Sequence, residues 1–305
     1  MYILEYQASM SQYPVVVIGD ATANNYTPFL AQVFSYLVGS SRLDVFITEP
    51  ITTSEELNNV LTKYYFFLRN LAVSNGYDYR FDINIIFNQA WSINYNWSVI
   101  FKPSNLALPE PDIKVVDIDF AIDESVLSDS LANANSSHPA QLFKTVALGG
   151  TFDHLHDGHK ILLSTALFLC KQLLIVGITG SKLLVNKKFA EVLELFDYRQ
   201  QSVLKFLRTI AFDSNVRFSI YEINDICGPT GYVSDIDALV VSGESAKGGD
   251  FVNNYRKEQE FSQLEIVSIN VIGGDDSNET NNWKGKLSST DLRQKQVQKL
   301  HLLNH

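Results

Sequence analysis

Residues 149–160, GGTFDHLHDGHK, place three of the chain's six histidines within six positions, between a glycine pair and a run with helical spacing. Just before them TVALGGTF is a short apolar run ending in glycine. Just after them HKILLSTALFLC has the length of a helix, and QLLIVGIT is an apolar run suited to a buried strand. The histidines therefore sit in the first turn of a βαβ unit. Further on, DYRQQSVLKFLRTI reads as an amphipathic helix, RFSIYEI and DALVVSGE as strands, DFVNNYRKEQEF as a helix and LEIVSINVI as a last strand. Strands alternating with helices predict an α/β fold, a Rossmann-like doubly wound parallel sheet with its ligand at the carboxyl ends of the strands.

The chain ahead of this unit divides by composition. Residues 123–141, DESVLSDSLANANSSHPAQ, are small and polar without periodicity and read as a flexible linker. They separate an N-terminal domain, 1–122, from a domain spanning 142–305. In the N-terminal part YPVVVIGD, DVFIT and FDINIIFN read as strands and 27–38 and 54–73 as helices, so a second α/β domain is expected. It carries no motif with chemistry and no repeat of the glycine and histidine pattern, and its role is open. Residues 273–286, GGDDSNETNNWKGK, read as a mobile surface loop.

Bulk properties narrow the ligand class. A net charge of −10 argues against broad binding to a nucleic acid backbone, and leaves room only for a local cationic cluster around a small anion. Cys170 and Cys227 are too few for a disulfide framework, which suits a reducing, cytoplasmic setting. The N-terminus lacks the pattern of a signal peptide, and TALFLCKQLLIVGI is interrupted by Lys171 and Gln172 and too short to span a bilayer, so no membrane association is expected. The four matches to the N-glycosylation pattern are then chance matches in an asparagine-rich chain.

Three readings compete for the histidine stretch. A zinc site would use His154, His156 and His159, but the spacing departs from i and i+4 and no cysteine or glutamate completes the set, so no protein-held metal is expected. An ordinary polar surface turn is the second reading. The third is an anion site: Gly149 and Gly150 let the backbone approach a ligand, Gly158 removes a side chain where the helix begins, and His156 and His159 flank the unpaired N–H groups of its first turn. The stretch matches neither GxxxxGK[ST] nor GxGxxG, which weakens kinase and dehydrogenase readings.

HxGH in a first βα turn resembles the signature of the nucleotidylyltransferase superfamily. Within it GGTFDHLHDGH is most similar to the phosphopantetheine adenylyltransferase domain of eukaryotic and archaeal type. DYRQQSVLKFL, DICGPTGYVSDIDALVVSGESAKGGDFVNNYRKEQ and KLSSTDLRQ resemble that family's later blocks in the same order, over about 145–295. The resemblance implies transfer of an adenylyl group from ATP to 4′-phosphopantetheine, with Mg²⁺ carried by ATP and no tightly bound organic cofactor. It puts Thr151 on the reacting phosphates, His159 on the α-phosphate and His156 on the ATP phosphates. Gly149, Gly150, Gly158, Ser288, Ser289, Thr290 and Arg293 fall to ATP, and Thr151, Lys187 and Arg199 to phosphopantetheine. Lys182 and Lys188 compete with Lys187, and His154 reads equally well as a turn residue. GESAKGGD is expected to form an adenine-side loop, with Gly248 and Gly249 in a tight turn and Lys247 or Arg256 near the nucleotide. No Walker A sequence occurs, so a separate dephospho-coenzyme A kinase is expected downstream; the oligomeric state is open. Transfer to another acceptor on the same fold, of nicotinamide mononucleotide, flavin mononucleotide or cytidylyl type, or a non-catalytic nucleotide-binding scaffold, are the alternatives.

Overall fold

The computed structural model describes residues 12–91, 96–109, 112–120, 137–185, 187–212, 214–269 and 288–303. It contains two five-stranded sheets, each parallel throughout. The first comprises β1 (Tyr13–Ile18), β2 (Arg42–Ile47), β3 (Asp82–Ile86), β4 (Trp97–Pro103) and β5 (Lys114–Ile118), in the order β3-β2-β1-β4-β5. With it run α1 (Thr27–Phe34) and α2 (Ser54–Ser74). Val15 to Ile18 are all fully buried β-branched residues, as a strand covered on both faces requires. Thr53 and Glu56 start α2 with a reciprocal capping box: Glu56 N donates to Thr53 Oγ1 at 3.2 Å, and Thr53 N to Glu56 Oε2 at 3.0 Å.

The second sheet is built from β6 (Phe143–Gly150), β7 (Cys170–Thr179), β8 (Arg217–Ile223), β9 (Ala238–Ser242) and β10 (Glu265–Ile269), in the order β10-β9-β6-β7-β8. Its helices are α3 (Asp157–Leu169), α4 (Phe196–Ile210), α5 (Ala246–Glu258) and α6 (Ser289–Leu303). The chain runs outward from β6 to β8, then returns to the other side of β6 for β9 and β10. The strand order thus reverses between β6 and β9, and in open parallel sheets that reversal opens a crevice for ligands at the carboxyl edge. The α/β class and the doubly wound sheet expected after residue 142 are both present.

Two expectations change. The tight turn foreseen at GESAKGGD is a short 3₁₀ turn, Gly243–Ser245, running into α5, so Gly248 and Gly249 lie in the helix's first turn. A Cβ on Gly249 would stand 2.8 Å from Ile266 Cγ2, so the glycine is what lets α5 lie against β10. Strands β4 and β5 were not foreseen, because WSVIFKP and KVVDI are partly exposed and mix charge with apolar residues. Of the segment read as a linker, 123–136 lie outside the described residues. Residues 138–140 bond to 52–54, through Ser54 N to the His138 carbonyl at 2.8 Å and a Thr53–Pro139 bridge. The loop expected at 273–286 also lies outside the described residues.

Candidate active site

The turn between β6 and α3 stands at the reversal of strand order. His156 is the N-cap of α3, but its side chain makes no capping bond, so the imidazole does not close the helix end. Three residues on, the His159 ring stacks on it, with centroids 3.8 Å apart and planes 22° from parallel. Phe152, fully buried, also packs against His159, with centroids 5.2 Å apart and planes tilted by 55°. His159 Nδ1 is buried without a hydrogen-bond partner. Burial pushes His159 well below the ordinary imidazole range, and the neighbouring His156 pushes it further. The ring is therefore neutral in the free protein, an N–H donor beside the positive end of a helix dipole.

The loop that presents these rings is strained and heavily braced. Phe152 and His154 both have left-handed backbones, φ +51 and +47, which cost non-glycine residues roughly 1–2 kcal/mol each. Such conformations persist when the surroundings over-determine them. Here Asp153, fully buried between the two, accepts from Arg293 Nη1 at 2.5 Å and from Glu194 N at 2.9 Å. His154 N donates to Glu194 Oε2 at 2.7 Å, and its ring Nε2 lies 3.1 Å from the Val192 carbonyl. His154 is thus tied to the 190–194 turn. Burial raises the Glu194 carboxyl, against the opposing pull of its bond to His154 N.

The remaining residues singled out in the sequence fall around this loop. Gly149 and Gly150 close β6, and Gly158 is the second residue of α3. A Cβ at Gly150 would meet the Phe152 ring at 3.1 Å, so a larger residue there would have to push that ring aside by a few tenths of an ångström. The Thr151 carbonyl accepts from Arg199 Nη1 at 2.7 Å, and Arg199 Nε donates to the Glu194 carbonyl at 3.0 Å. Arg199, expected on the substrate phosphate, is buried and engaged with main-chain oxygens beneath Thr151. Arg256, expected near the nucleotide, is fully buried with four bonds to the carbonyls of Thr230, Val233, Ser234 and Ser262. Lys247 is exposed on α5. Lys182, Lys187 and Lys188 are exposed in the segment after β7, and the Lys188 carbonyl accepts from Arg293 Nε at 2.9 Å.

At α6, Ser288 and Asp291 cap the helix reciprocally. Ser288 Oγ and N donate to Asp291 Oδ2 at 2.7 and 3.1 Å, and Asp291 N donates to Ser288 Oγ at 3.2 Å. Ser289 Oγ donates to the Asp153 carbonyl at 2.9 Å, and Arg293 Nη2 to Thr290 Oγ1 at 3.2 Å. The start of α6 is thereby brought to the histidine loop across more than 130 residues of sequence. Sequence reasoning missed Asp153 and Glu194. The first lies within the quoted stretch, where an aspartate before a histidine was a visible signal; nothing in LELFDY marks the second. Among the described residues no three His, Cys, Asp or Glu side chains gather where they could hold a metal ion. Nor is any described helix long and apolar enough to cross a membrane.

Comparison with known proteins gives the family of the chain. A cytidylyltransferase-like family model matches residues 147–295. The chain is 37% identical over 257 residues to the phosphopantetheine adenylyltransferase of Saccharomyces cerevisiae, covering 83% of this chain and 82% of that one. It is 40% identical over 150 residues to an uncharacterized protein of Schizosaccharomyces pombe, covering 48% of this chain and 46% of that one. The phosphopantetheine adenylyltransferase of Pyrococcus abyssi is 38% identical over 130 residues, 43% of this chain and 80% of its own.

Proposed function

This chain belongs to the phosphopantetheine adenylyltransferase family, and we propose on that premise that it transfers the adenylyl group of ATP to 4′-phosphopantetheine, forming dephospho-coenzyme A and pyrophosphate. The observation that carries the reading to this site is the stacked His156–His159 pair at the N-terminus of α3, at the reversal of strand order. Transfer to nicotinamide, flavin or cytidylyl acceptors is not favoured, since the relatives with a named activity carry the phosphopantetheine name.

A phosphate oxygen of phosphopantetheine attacks the α-phosphorus in line. The new P–O bond forms as the bond from the α-phosphorus to the bridging oxygen breaks, and pyrophosphate leaves with that electron pair. The attacking phosphate is already largely ionised at pH 7, so no enzyme base and no covalent intermediate are required. What remains for the protein is positioning and charge stabilisation. His159 donates to the α-phosphate as charge builds there, His156 to the neighbouring phosphates, and Thr151 holds the two reacting groups together. Gly149, Gly150 and Gly158 let the backbone close on the nucleotide, while first-turn amides of α6 at Ser289 and Thr290 face its outer phosphates and Ser288 caps the helix through Asp291. Lys187 takes the phosphopantetheine phosphate, and Arg199 positions Thr151 through its carbonyl.

Mg²⁺ arrives with ATP and neutralises phosphate charge. The carboxylates beside the loop suit that arrangement: Asp153 is committed to Arg293 and Glu194 to His154 N, leaving phosphate oxygens and water as ligands. A separate dephospho-coenzyme A kinase takes the product. The reaction runs in the cytoplasm, a reading supported by the two free cysteines.

The test is pyrophosphate release from ATP and Mg²⁺ with and without 4′-phosphopantetheine. Release is expected only with the acceptor, and His159→Ala, folded as judged by circular dichroism, is expected to lower kcat by about 100- to 1,000-fold, the loss typical of one transition-state donor. Wild-type turnover of a different acceptor alone would refute the substrate; an unimpaired His159→Ala would refute the role of the pair.

A further inference from the structure

Arg293 stands in the SST–R segment where the family resemblance puts a contact to ATP, yet its surroundings fit another task. The side chain is 3% exposed. Its three nitrogens reach three different parts of the site: Nη1 to Asp153 in the histidine loop, Nε to the Lys188 carbonyl in the lysine segment, and Nη2 to Thr290 at the start of α6. Asp153 is fully buried and binds Arg293 with one carboxylate oxygen and Glu194 N with the other, while its carbonyl accepts from Ser289 Oγ. The pair is neutral as a unit, so it offers a triphosphate little net charge. Turning Arg293 outward to a phosphate would strand a buried carboxylate without its counter-ion.

We propose that the buried Asp153–Arg293 pair is a positioning joint, which fixes the first turn of α6 and the lysine segment against the loop carrying Thr151, His156 and His159. Arg293 acts on the reaction through that loop, not as a ligand of ATP. The two ends of one nucleotide would otherwise be gripped by segments with no stiff connection. The α-phosphate belongs to the histidine loop and the outer phosphates to α6, and in-line attack tolerates little misplacement between them. The joint also accounts for the left-handed backbones at Phe152 and His154, which flank Asp153 on either side. The proposal rests on the adenylyl-transfer reading given above.

The experiment uses the full chain as wild type, Asp153→Asn, Arg293→Lys and the double variant. Arg293→Lys keeps the charge but loses the fork that spans three segments. Thermal unfolding, equilibrium binding of ATP in the absence of acceptor, and steady-state kcat and KM are measured for each. A joint predicts that both single variants lower kcat about 10- to 100-fold. ATP dissociation constants should stay within about 3-fold of wild type, and the double variant should be no slower than the worse single one, because both substitutions break the same contact. If Arg293→Lys weakens ATP binding tenfold or more while Asp153→Asn does not, Arg293 is an ATP ligand and the proposal is wrong. If both variants only lower the unfolding temperature and keep wild-type kcat, the pair is structural and the proposal is equally wrong. Should Asp153→Asn fail to fold, the split between ATP binding and kcat in Arg293→Lys decides alone. Wild-type inactivity with phosphopantetheine would instead overturn the acceptor assignment; ATP binding is measured without acceptor, and kcat would then be read with whichever acceptor is used.

Discussion

The two sheets share a strand order and differ in what stands at its reversal. In the first sheet the chain passes from Ile18 to α1 through residues 19–26; in the second it passes from Gly150 to α3 through the shorter segment 151–156. The first loop opens on Gly19 and the second follows Gly149 and Gly150 at the end of β6, and each ends on the N-cap of the following helix, Tyr26 in one and His156 in the other. The third helical residue is Phe29 in one and His159 in the other. One place in the topology thus carries an aromatic pair in the first sheet and an imidazole pair in the second.

Physical chemistry separates them further. The Tyr26 hydroxyl lies over Gly19, where an added Cβ would be 2.9 Å from it, so the phenol fills the space above that glycine. Tyr26 and Phe29 are buried, edge to face at 6.5 Å. Asp20 follows Gly19. Burial raises its carboxyl, but bonds from the Thr22 hydroxyl and the amides of Ala23 and Thr22 outweigh that and hold it below the usual range. An ionised carboxylate beside a buried phenol repels phosphate, whereas paired imidazoles at a helix N-terminus attract it. Both sheets set a helix N-terminus at the reversal of strand order, and the side chains at the N-cap and the third helical residue are what distinguish the candidate site from its counterpart.

The comparison can be broken or sharpened by experiment. The largest effect is expected from Asp44→Ala in the first sheet, where Arg42 binds Asp44 with two nitrogens at 2.7 and 2.8 Å and Asn84 and Trp97 each donate at 3.0 Å. Removing the carboxylate leaves these donors buried and should cost about 3–5 kcal/mol in urea unfolding. A loss under 1 kcal/mol would mean that the first sheet is not held by this cluster. Next comes exchange of the pairs themselves. His159→Phe should keep the fold, because the ring still packs on Phe152, and lose turnover by about 100- to 1,000-fold. Retained turnover would show that the aromatic pair of the first sheet is no less competent than the imidazoles.

A count of bound nucleotide follows. Equilibrium dialysis with ATP and Mg²⁺ should saturate at one ATP per chain, and replacing both His156 and His159 by Phe should weaken that site; two sites of comparable affinity would put the first sheet on the same footing as the second. The smallest effect is one of pH. His159 titrates near 6.5 when unfolded and well below that when folded. As pH falls through 6.5 the unfolded chain takes up the proton first, so this residue's contribution to stability is complete above 6.5 and declines below it. His159→Gln should flatten that slope. Bound triphosphate stabilises the imidazolium instead, so ATP should bind with proton uptake and more tightly at pH 6.5 than at 8, as calorimetry in two buffers of different ionisation heat would reveal.

Much of this was legible locally. VVVI, LLIV and ALVV announce buried strands because parallel strands covered on both faces need unbroken apolar runs, and the GG–HxGH stretch announces a helix start beside a ligand. The helix boundaries at α5 and the partly exposed strands β4 and β5 were not, since glycine spacing and mixed charge read as loop when the packing partner is out of sight. At Arg199, Arg256 and Arg293 the sequence showed a charge but not its partners. A basic residue in a helix is indistinguishable in sequence from an anion ligand, and only its partners decide. Those partners lie far off along the chain: Thr151 is 48 residues from Arg199, Thr230 is 26 from Arg256, and Asp153 is 140 from Arg293.

By itself, then, the sequence determined the family, the α/β class of both halves and the imidazole pair at a helix start, because each is written in short-range spacing that a helix or strand converts directly into a shared face. Tertiary structure alone decided that the first sheet repeats the strand order of the second, that its equivalent place is filled by Tyr26 and Phe29, and that three arginines bind carbonyls and a buried carboxylate. Strand order and the partners of a buried charge depend on which distant segments meet, and a guanidinium taken out of water binds whatever oxygen the fold brings to it.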